Sequence, residues 1–155
     1  MKEKQFVKVQ FYNPDVGYEN LWASPLTNKR YRIESIPFFV YGVSMHDIVT
    51  ASADEQGVLH FAKLLKPSGN RTLRARSDDF AKKPSRRRKV IADLRLLGSD
   101  VEQLRSRLLG INVPPTVDLQ TVKDYLTNDA KVSWEYGNPE DLNRSGNQPQ
   151  PSGRL

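Results

Sequence analysis

An unbroken run of mostly large apolar residues at positions 36–43 constrains the fold more than any other part of this sequence. The run reads Ile, Pro, Phe, Phe, Val, Tyr, Gly and Val, and an apolar run without alternation is typical of a strand buried on both faces. Neighbouring side chains on a strand point to opposite faces. We therefore predict a central strand here, with either Phe38 or Phe39 facing a second layer or a partner surface.

The first half of the chain has the pattern of short strands separated by turns. Val7, Val9 and Phe11 alternate with polar residues, which is the period of a half-buried strand. Further strand-like segments follow at short intervals, bounded by proline, glycine, asparagine or aspartate. Residues 1–70 are therefore predicted to form a small antiparallel sheet or an open barrel.

The second half changes from the period of strands to the period of helices. One helical face is formed by Val90, Ile91, Leu94 and Leu97. Ser85 is a candidate N-cap for this helix, and Gly98 is its predicted stop. A second helix is expected after Thr116, which can cap it.

Strand-like segments at 71–76, 107–113 and 132–136 alternate with these two helices. In the first of them, Arg74 and Arg76 are predicted to point outward. The order β-α-β-α-β requires crossover connections and predicts a ferredoxin-like half. The fold class is therefore α+β, with one domain over residues 1–137.

The last segment, residues 138–155, is predicted to be a disordered tail. It contains three prolines and only two large apolar residues, so it cannot bury enough apolar surface to offset its ordering entropy.

Several classes of function are excluded or disfavoured by what the chain lacks. It contains no cysteine, which excludes disulfides, thiolate catalysis and cysteine-ligated metals. His46 and His60 belong to no motif with metal-ligand spacing, and no nucleophile or phosphate-loop motif occurs. We expect no cofactor and no metal, and an enzyme is the less favoured interpretation. Without a signal peptide or a membrane span, the protein is expected to be cytoplasmic.

Positive charge is concentrated between residues 71 and 110. The net charge of the chain is +6, and this segment carries twelve basic and five acidic residues. A basic patch attracts phosphate or a carboxylate-rich partner, and a solvated loop is the alternative interpretation. The candidate binding residues are Arg71, Arg74, Arg76, Lys82, Lys83, Arg86, Arg87, Arg88 and Lys89.

Two functional hypotheses follow from these patterns. The leading one is a non-catalytic protein-binding module whose charged surface complements a partner. The alternative is a nucleic-acid-binding module that uses the basic segment. Aromatic side chains that would stack on bases are not interleaved with that segment, where Phe80 is the one aromatic nearby. Core packing is the better interpretation for most of the other aromatics of the two sheets, which are Tyr18, Trp22, Phe38, Phe39, Tyr41, Trp134 and Tyr136.

Short motifs along about residues 5–137 resemble one known family. They are Leu21-Trp22-Ala23, Ile36-Pro37-Phe38-Phe39, Tyr41-Gly42-Val43-Ser44, Asp47-Ile48-Val49, Ser68-Gly69, Arg71-Thr72-Leu73-Arg74, Leu97-Gly98, Val113-Pro114-Pro115 and Trp134-Glu135-Tyr136. On these motifs the chain resembles the small bacterial proteins of domain-of-unknown-function family 4265. One departure is Asn70, where the family is expected to show a histidine after Ser-Gly. The resemblance implies an accessory protein, and an immunity or antitoxin-like role against a toxin is one expectation.

Overall fold

The computed structural model describes residues 5–138, and its first unit is a closed five-stranded barrel. Its strands are β1 Val7–Asn13, β2 Gly17–Pro25, β3 Arg30–Ile33, β4 Ile48–Ala53 and β5 Leu59–Lys66. Consecutive strands pair antiparallel. Closure comes from a parallel pairing of β1 with β5, in which Val9 lies opposite Leu59 and Gln10 opposite His60. The predicted open edge is therefore wrong, because β5 covers it.

The core of the barrel follows from the alternation along its strands. Every second residue of β1 and β2 points inward, so Val9, Phe11 and Leu21 are buried while Lys8 and Tyr12 face outward. Phe11 stacks on Phe61 of β5, with the ring centroids 4.7 Å apart. The period-two pattern of the sequence therefore identified the inner face of β1 correctly.

The second unit is a four-stranded sheet with the spatial order β7-β8-β6-β9. Its elements are β6 Arg71–Arg76, α1 Asp79–Lys82, α2 Pro84–Leu96, β7 Asp100–Leu104, β8 Leu108–Val113, α3 Leu119–Asp124, a single π-helical turn Tyr125–Asp129 and β9 Ser133–Tyr136. All three strand pairings are antiparallel. The predicted order β-α-β-α-β lacked β7, an edge strand with a single buried residue, Val101. The α+β class is confirmed.

The helices α2 and α3 begin at other residues than the sequence pattern predicts. The N-cap of α2 is Lys83 and not Ser85, since Pro84 occupies the first helical position. The helix ends before Gly98 as predicted, and Gly98 takes a positive φ of 98°. The N-cap of α3 is Asp118 rather than Thr116, and its carboxylate accepts a hydrogen bond from the backbone N–H of Gln120 at 3.2 Å.

Residues 36–43 are not a strand, which corrects the prediction of a buried central strand. They belong to the long connection between β3 and β4. Pro37 has no N–H to donate, Gly42 has a φ of +85° and His46 has a φ of +69°, so this backbone cannot run as a regular strand. The density of apolar residues was a sound sign of burial, since Ile36, Val40 and Val43 are core residues.

The described part of the chain ends at a buried residue. Asn138, the first residue of the predicted tail, accepts hydrogen bonds from Ser44 Oγ at 2.8 Å and from the backbone N–H of Thr72 at 3.2 Å. The rest of that tail, 139–155, lies outside the described residues. Between residues 5 and 138, none of the helices has the length and apolar character needed to cross a membrane.

Candidate interaction surface

One buried arginine fastens the β3–β4 connection to the second unit. Arg74 on β6 is fully buried, so the prediction that it points outward is wrong. Its Nε donates to the carbonyl of Pro37 at 3.2 Å and its Nη1 to that of Phe39 at 3.4 Å, while Nη2 donates to that of Val40. The guanidinium thus supplies the donors that a neighbouring strand would have supplied.

A carboxylate on β2 satisfies the N–H groups of the same connection. Glu19 accepts from the backbone N–H of Phe38 at 2.9 Å and from that of Phe39 at 2.7 Å. Burial raises the pKa of Glu19, and these hydrogen bonds together with Arg74 oppose the rise. Asn13, at the end of β1, donates to the carbonyl of Phe39 at 2.7 Å. The connection is therefore held from both units.

Phe38 and Phe39, the predicted partner surface, are both half-buried in this connection. Phe38 lies against β8, where its ring approaches the position that a Cβ on Gly110 would occupy. The Phe38 ring thus lies near the seam between the units, and the backbone of Phe39 is bonded to both of them. The use of Phe38 and Phe39 by a partner remains a prediction.

The nine basic candidates differ in burial and in whether they bond to other residues of the fold. Arg74 is buried, and Arg71 is half-buried. Arg86 pairs with Asp79 at 2.6 Å and donates to the carbonyl of Ala130 at 2.5 Å, while Arg87 donates to that of Phe80 at 3.1 Å. Lys89 is exposed and pairs with Asp93 at 2.9 Å. The other exposed members are Arg76, Lys82, Lys83 and Arg88.

The two histidines form separate pairs on the barrel. His46 Nε2 lies 3.5 Å from Glu34 and His60 Nε2 lies 2.8 Å from Asp54. Within residues 5–138, no cluster of three or more histidine and carboxylate side chains could hold a metal ion.

The most exposed aromatic side chains lie on the outer face of β1 and β2. Tyr12 is 65%, Tyr18 64% and Trp22 49% exposed. Tyr12 lies opposite Tyr18 in the β1–β2 register, and Trp22 lies opposite Lys8. Tyr18 and Trp22 are therefore exceptions to the expectation that most of these aromatics pack in a core. We call the outward residues Lys8, Gln10, Tyr12, Tyr18, Asn20 and Trp22 the aromatic face.

The side chains of the aromatic face are arranged in pairs across β1 and β2. The rings of Tyr12 and Tyr18 are 5.3 Å apart at an interplanar angle of 56°. Lys8 Nζ lies 5.0 Å from the centre of the Trp22 ring, which is within cation–π range. Gln10 and Asn20 lie opposite each other between these two pairs. The face therefore alternates large rings with amides on a closed barrel.

The sequence contains a signal for this face. Tyr12 occupies the polar half of the β1 alternation, and an aromatic residue in an outward position is the informative exception to that pattern. Tyr18 and Trp22 follow with the same parity after the Asn13-Pro14-Asp15 turn.

Comparisons with known proteins agree with the architecture. A family model described as "Domain of unknown function (DUF4265)" matches residues 19–136. The chain is similar to the crystal structure of a hypothetical protein from Neisseria gonorrhoeae, with a TM-score of 0.68 and 20% identity over 89% of this chain and 96% of that one. At this identity the likeness shows the fold alone. No curated protein matches the sequence.

Proposed function

The chain belongs to the family of domain of unknown function DUF4265, and we propose that it is a non-catalytic protein-binding module. We infer that its partner binds on the aromatic face of β1 and β2. One observation carries this proposal: Tyr12, Tyr18 and Trp22 are about half exposed or more on one side of a closed barrel.

The composition of the aromatic face favours a protein partner. Tyrosine and tryptophan are enriched in protein interfaces because they bury a large area and lose little conformational entropy. Amide side chains such as Gln10 and Asn20 supply adaptable hydrogen bonds between such rings. Tyr12 and Tyr18 precede the residues that match the family, and Trp22 lies within them. The proposal therefore concerns this chain rather than the family as a whole.

Nucleic-acid binding through the basic segment is the second candidate function, and the placement of its residues weakens it. Single-stranded nucleic acid needs cations that follow the backbone and aromatic rings close to them. Here the exposed cations Lys82, Lys83 and Arg88 are on or beside α2, while the exposed rings are on the barrel. Arg74, Arg86 and Arg87 are used inside the fold.

The fold of the second unit and the class of the partner can be proposed more specifically. The element order β-α-β-β-α-β of the second unit supports a ferredoxin-like half. The proposal that the partner is a toxin, and this chain its immunity-like protein, is supported by the family resemblance alone.

The test is capture from the native host, followed by binding to the purified partner. We expect a protein that binds the intact chain to lose at least about tenfold in affinity when Trp22 is changed to alanine, since interface tryptophans often contribute 2 kcal/mol or more. Leu96→Ala is the matched control, because Leu96 is an 84% exposed apolar residue on α2.

Two results would contradict the proposal. One is a partner whose affinity is unchanged by Tyr12→Ala, Tyr18→Ala and Trp22→Ala together. The other is recovery of nucleic acid whose binding falls steeply with salt and depends on Lys82, Lys83 and Arg88.

A further inference from the structure

A groove separates helix α2 from the edge strand β7 of the second unit. Its volume is about 390 Å³, and its lining residues are Arg88, Ile91, Ala92, Arg95, Val101 and Gln103. The four lining residues of α2 recur at intervals of three, one and three, which is a single stripe along the helix. Val101 and Gln103 are two residues apart and lie on the same face of β7. The groove therefore runs between one helical stripe and one strand face.

One edge of β7 has no neighbouring strand among the described residues, because β7 is first in the order β7-β8-β6-β9. Such an edge presents backbone N–H and carbonyl groups that can pair with an extended chain. Arg95 Nη2 donates to the carbonyl of Val101 at 3.3 Å. A guanidinium thus lies at the groove beside the strand.

The charged residues that line the groove are all positive. Arg88 and Arg95 are two turns apart on α2, about 10 Å along the helix axis, and no lining residue is acidic. Asp100 and Glu102 of β7 point to the opposite strand face, where Glu102 accepts from the backbone N–H of Ile36 at 3.4 Å. Asp93 on α2 is engaged with Lys89 and Tyr125. None of these three acidic side chains lines the groove itself, although Asp100 and Glu102 line an adjoining cavity together with Arg95.

We propose that this groove binds an extended acidic peptide segment of a partner protein, which adds a strand to the open edge of β7. The peptide backbone pairs with β7, and every second side chain points towards α2. Residues i and i+4 of a strand are about 13 Å apart, so carboxylates at these positions can reach Arg88 and Arg95. The residue between them, i+2, is apolar and packs on Ile91 and Val101.

A second copy of the chain fits this edge poorly. Antiparallel pairing of two β7 strands would bring two α2 helices side by side, with Arg88 and Arg95 of each copy close to those of the other. Like charges in such proximity oppose association. An acidic peptide instead neutralises both arginines with charge-assisted hydrogen bonds.

The experiment uses the full chain and a labelled peptide that contains Glu-Thr-Leu-Thr-Glu. Its controls are the same peptide with both glutamates replaced by lysine, and one with N-methyl groups on the threonines. We expect binding by the first peptide, with backbone amide shifts confined to α2 and β7 in NMR spectra. The lysine peptide should bind at least about tenfold more weakly, and the N-methyl peptide likewise, since strand pairing needs its N–H groups.

Variants of the chain locate the site. Arg88→Gln is expected to weaken peptide binding about tenfold, whereas Lys63→Gln, which changes an exposed cation on β5 of the barrel, leaves it within about twofold. The triple alanine variant of Tyr12, Tyr18 and Trp22 should bind the peptide as the intact chain does, so the two proposals fail independently.

Equal binding of the glutamate and lysine peptides, or no binding of either, would overturn the inference. Binding of the N-methyl peptide as tight as that of the first peptide would also overturn it, as would amide shifts outside α2 and β7. The same holds for equal losses with Arg88→Gln and Lys63→Gln, or for a preference for a single-stranded oligonucleotide over the peptide.

Discussion

The hydroxyl of Tyr41 donates a hydrogen bond to the carboxylate of Glu135, with both carboxylate oxygens 2.9 Å away, across ninety-four residues of sequence. The ring of Tyr41 lies 4.7 Å from the guanidinium of Arg74, and Glu135 lies 3.5 Å from the same group. Tyr41 belongs to the β3–β4 connection and Glu135 to β9. The pair therefore closes the connection over the buried arginine and joins the two units.

Arg74→Met is expected to destabilise the protein by about 3–5 kcal/mol. Removing one partner of a buried charged network leaves the others uncompensated, and here Glu135 and three carbonyls of the connection would lose their donor. The free energy of unfolding in urea measures the effect. Arg76→Met is the control, because Arg76 is an exposed residue of the same strand and should change stability by less than about 0.5 kcal/mol. Equal losses would show that Arg74 does not fasten the connection.

The pH dependence of stability should reveal the buried carboxyl of Glu19. Burial raises the pKa of Glu19 above its usual 4.5, so the folded state holds its proton to higher pH than the unfolded state does. The stability that this preference contributes is complete below pH 4.5 and is lost as pH rises through the folded pKa. Glu19→Gln abolishes this titration.

The comparison is between urea unfolding of the intact chain and of Glu19→Gln from pH 4 to 7. We expect the stability of the intact chain relative to the variant to fall as pH rises. The glutamine also changes the hydrogen bonds with the backbone N–H groups of Phe38 and Phe39. This shifts the free energy of unfolding of the variant by an amount that does not depend on pH. A relative stability that is flat or rises with pH would contradict a raised pKa.

The sequence indicated burial within residues 36–43, where Ile36, Val40 and Val43 are core residues, but it could not reveal which groups cover them. An apolar run of this length fits a buried strand, and the usual partner of a strand is another strand. The partners here are the side chains of Glu19 and Arg74, which lie at least nineteen and thirty-four residues away. Local patterns carry no information on such distant side-chain donors, so the connection was predicted as a strand and Arg74 as an exposed cation.

The buried face of the connection can be tested at Gly110 on β8. A Cβ at this position would lie 2.9 Å from Ile36 Cγ2 and 3.1 Å from Phe38 Cε1. Gly110→Ala should therefore destabilise the protein by about 1–3 kcal/mol through overpacking. Ile36→Leu removes the β-branched methyl group that is nearest, so the double variant should lose less than the sum of the two single variants. Simple additivity in urea unfolding would mean that the connection does not pack on β8 in this way.

The aromatic face was within reach of sequence reasoning, whereas the groove beside β7 was not. Strand parity alone assigns Tyr12 to the outer side of β1, opposite to Phe11. The groove depends on β7, whose residues Asp100–Leu104 contain little apolar character and no turn signal that separates them from α2 beyond Gly98. An exposed edge strand has few residues that must be apolar, and its pattern is correspondingly weak.

Two neighbouring residues of β1 provide the sharpest test of which side chains are free to meet a partner. Phe11 is buried and stacks on Phe61, so Phe11→Ala should reduce the free energy of unfolding by about 3–5 kcal/mol. Tyr12 is exposed and contacts Tyr18 across the strand pair, so Tyr12→Ala should reduce it by only about 1 kcal/mol or less. Urea unfolding of both variants gives the two values. Similar losses at the two positions would place Tyr12 in the core. The aromatic face would then be excluded as a docking surface, because a ring that the barrel needs for its own packing is not available to bind another protein.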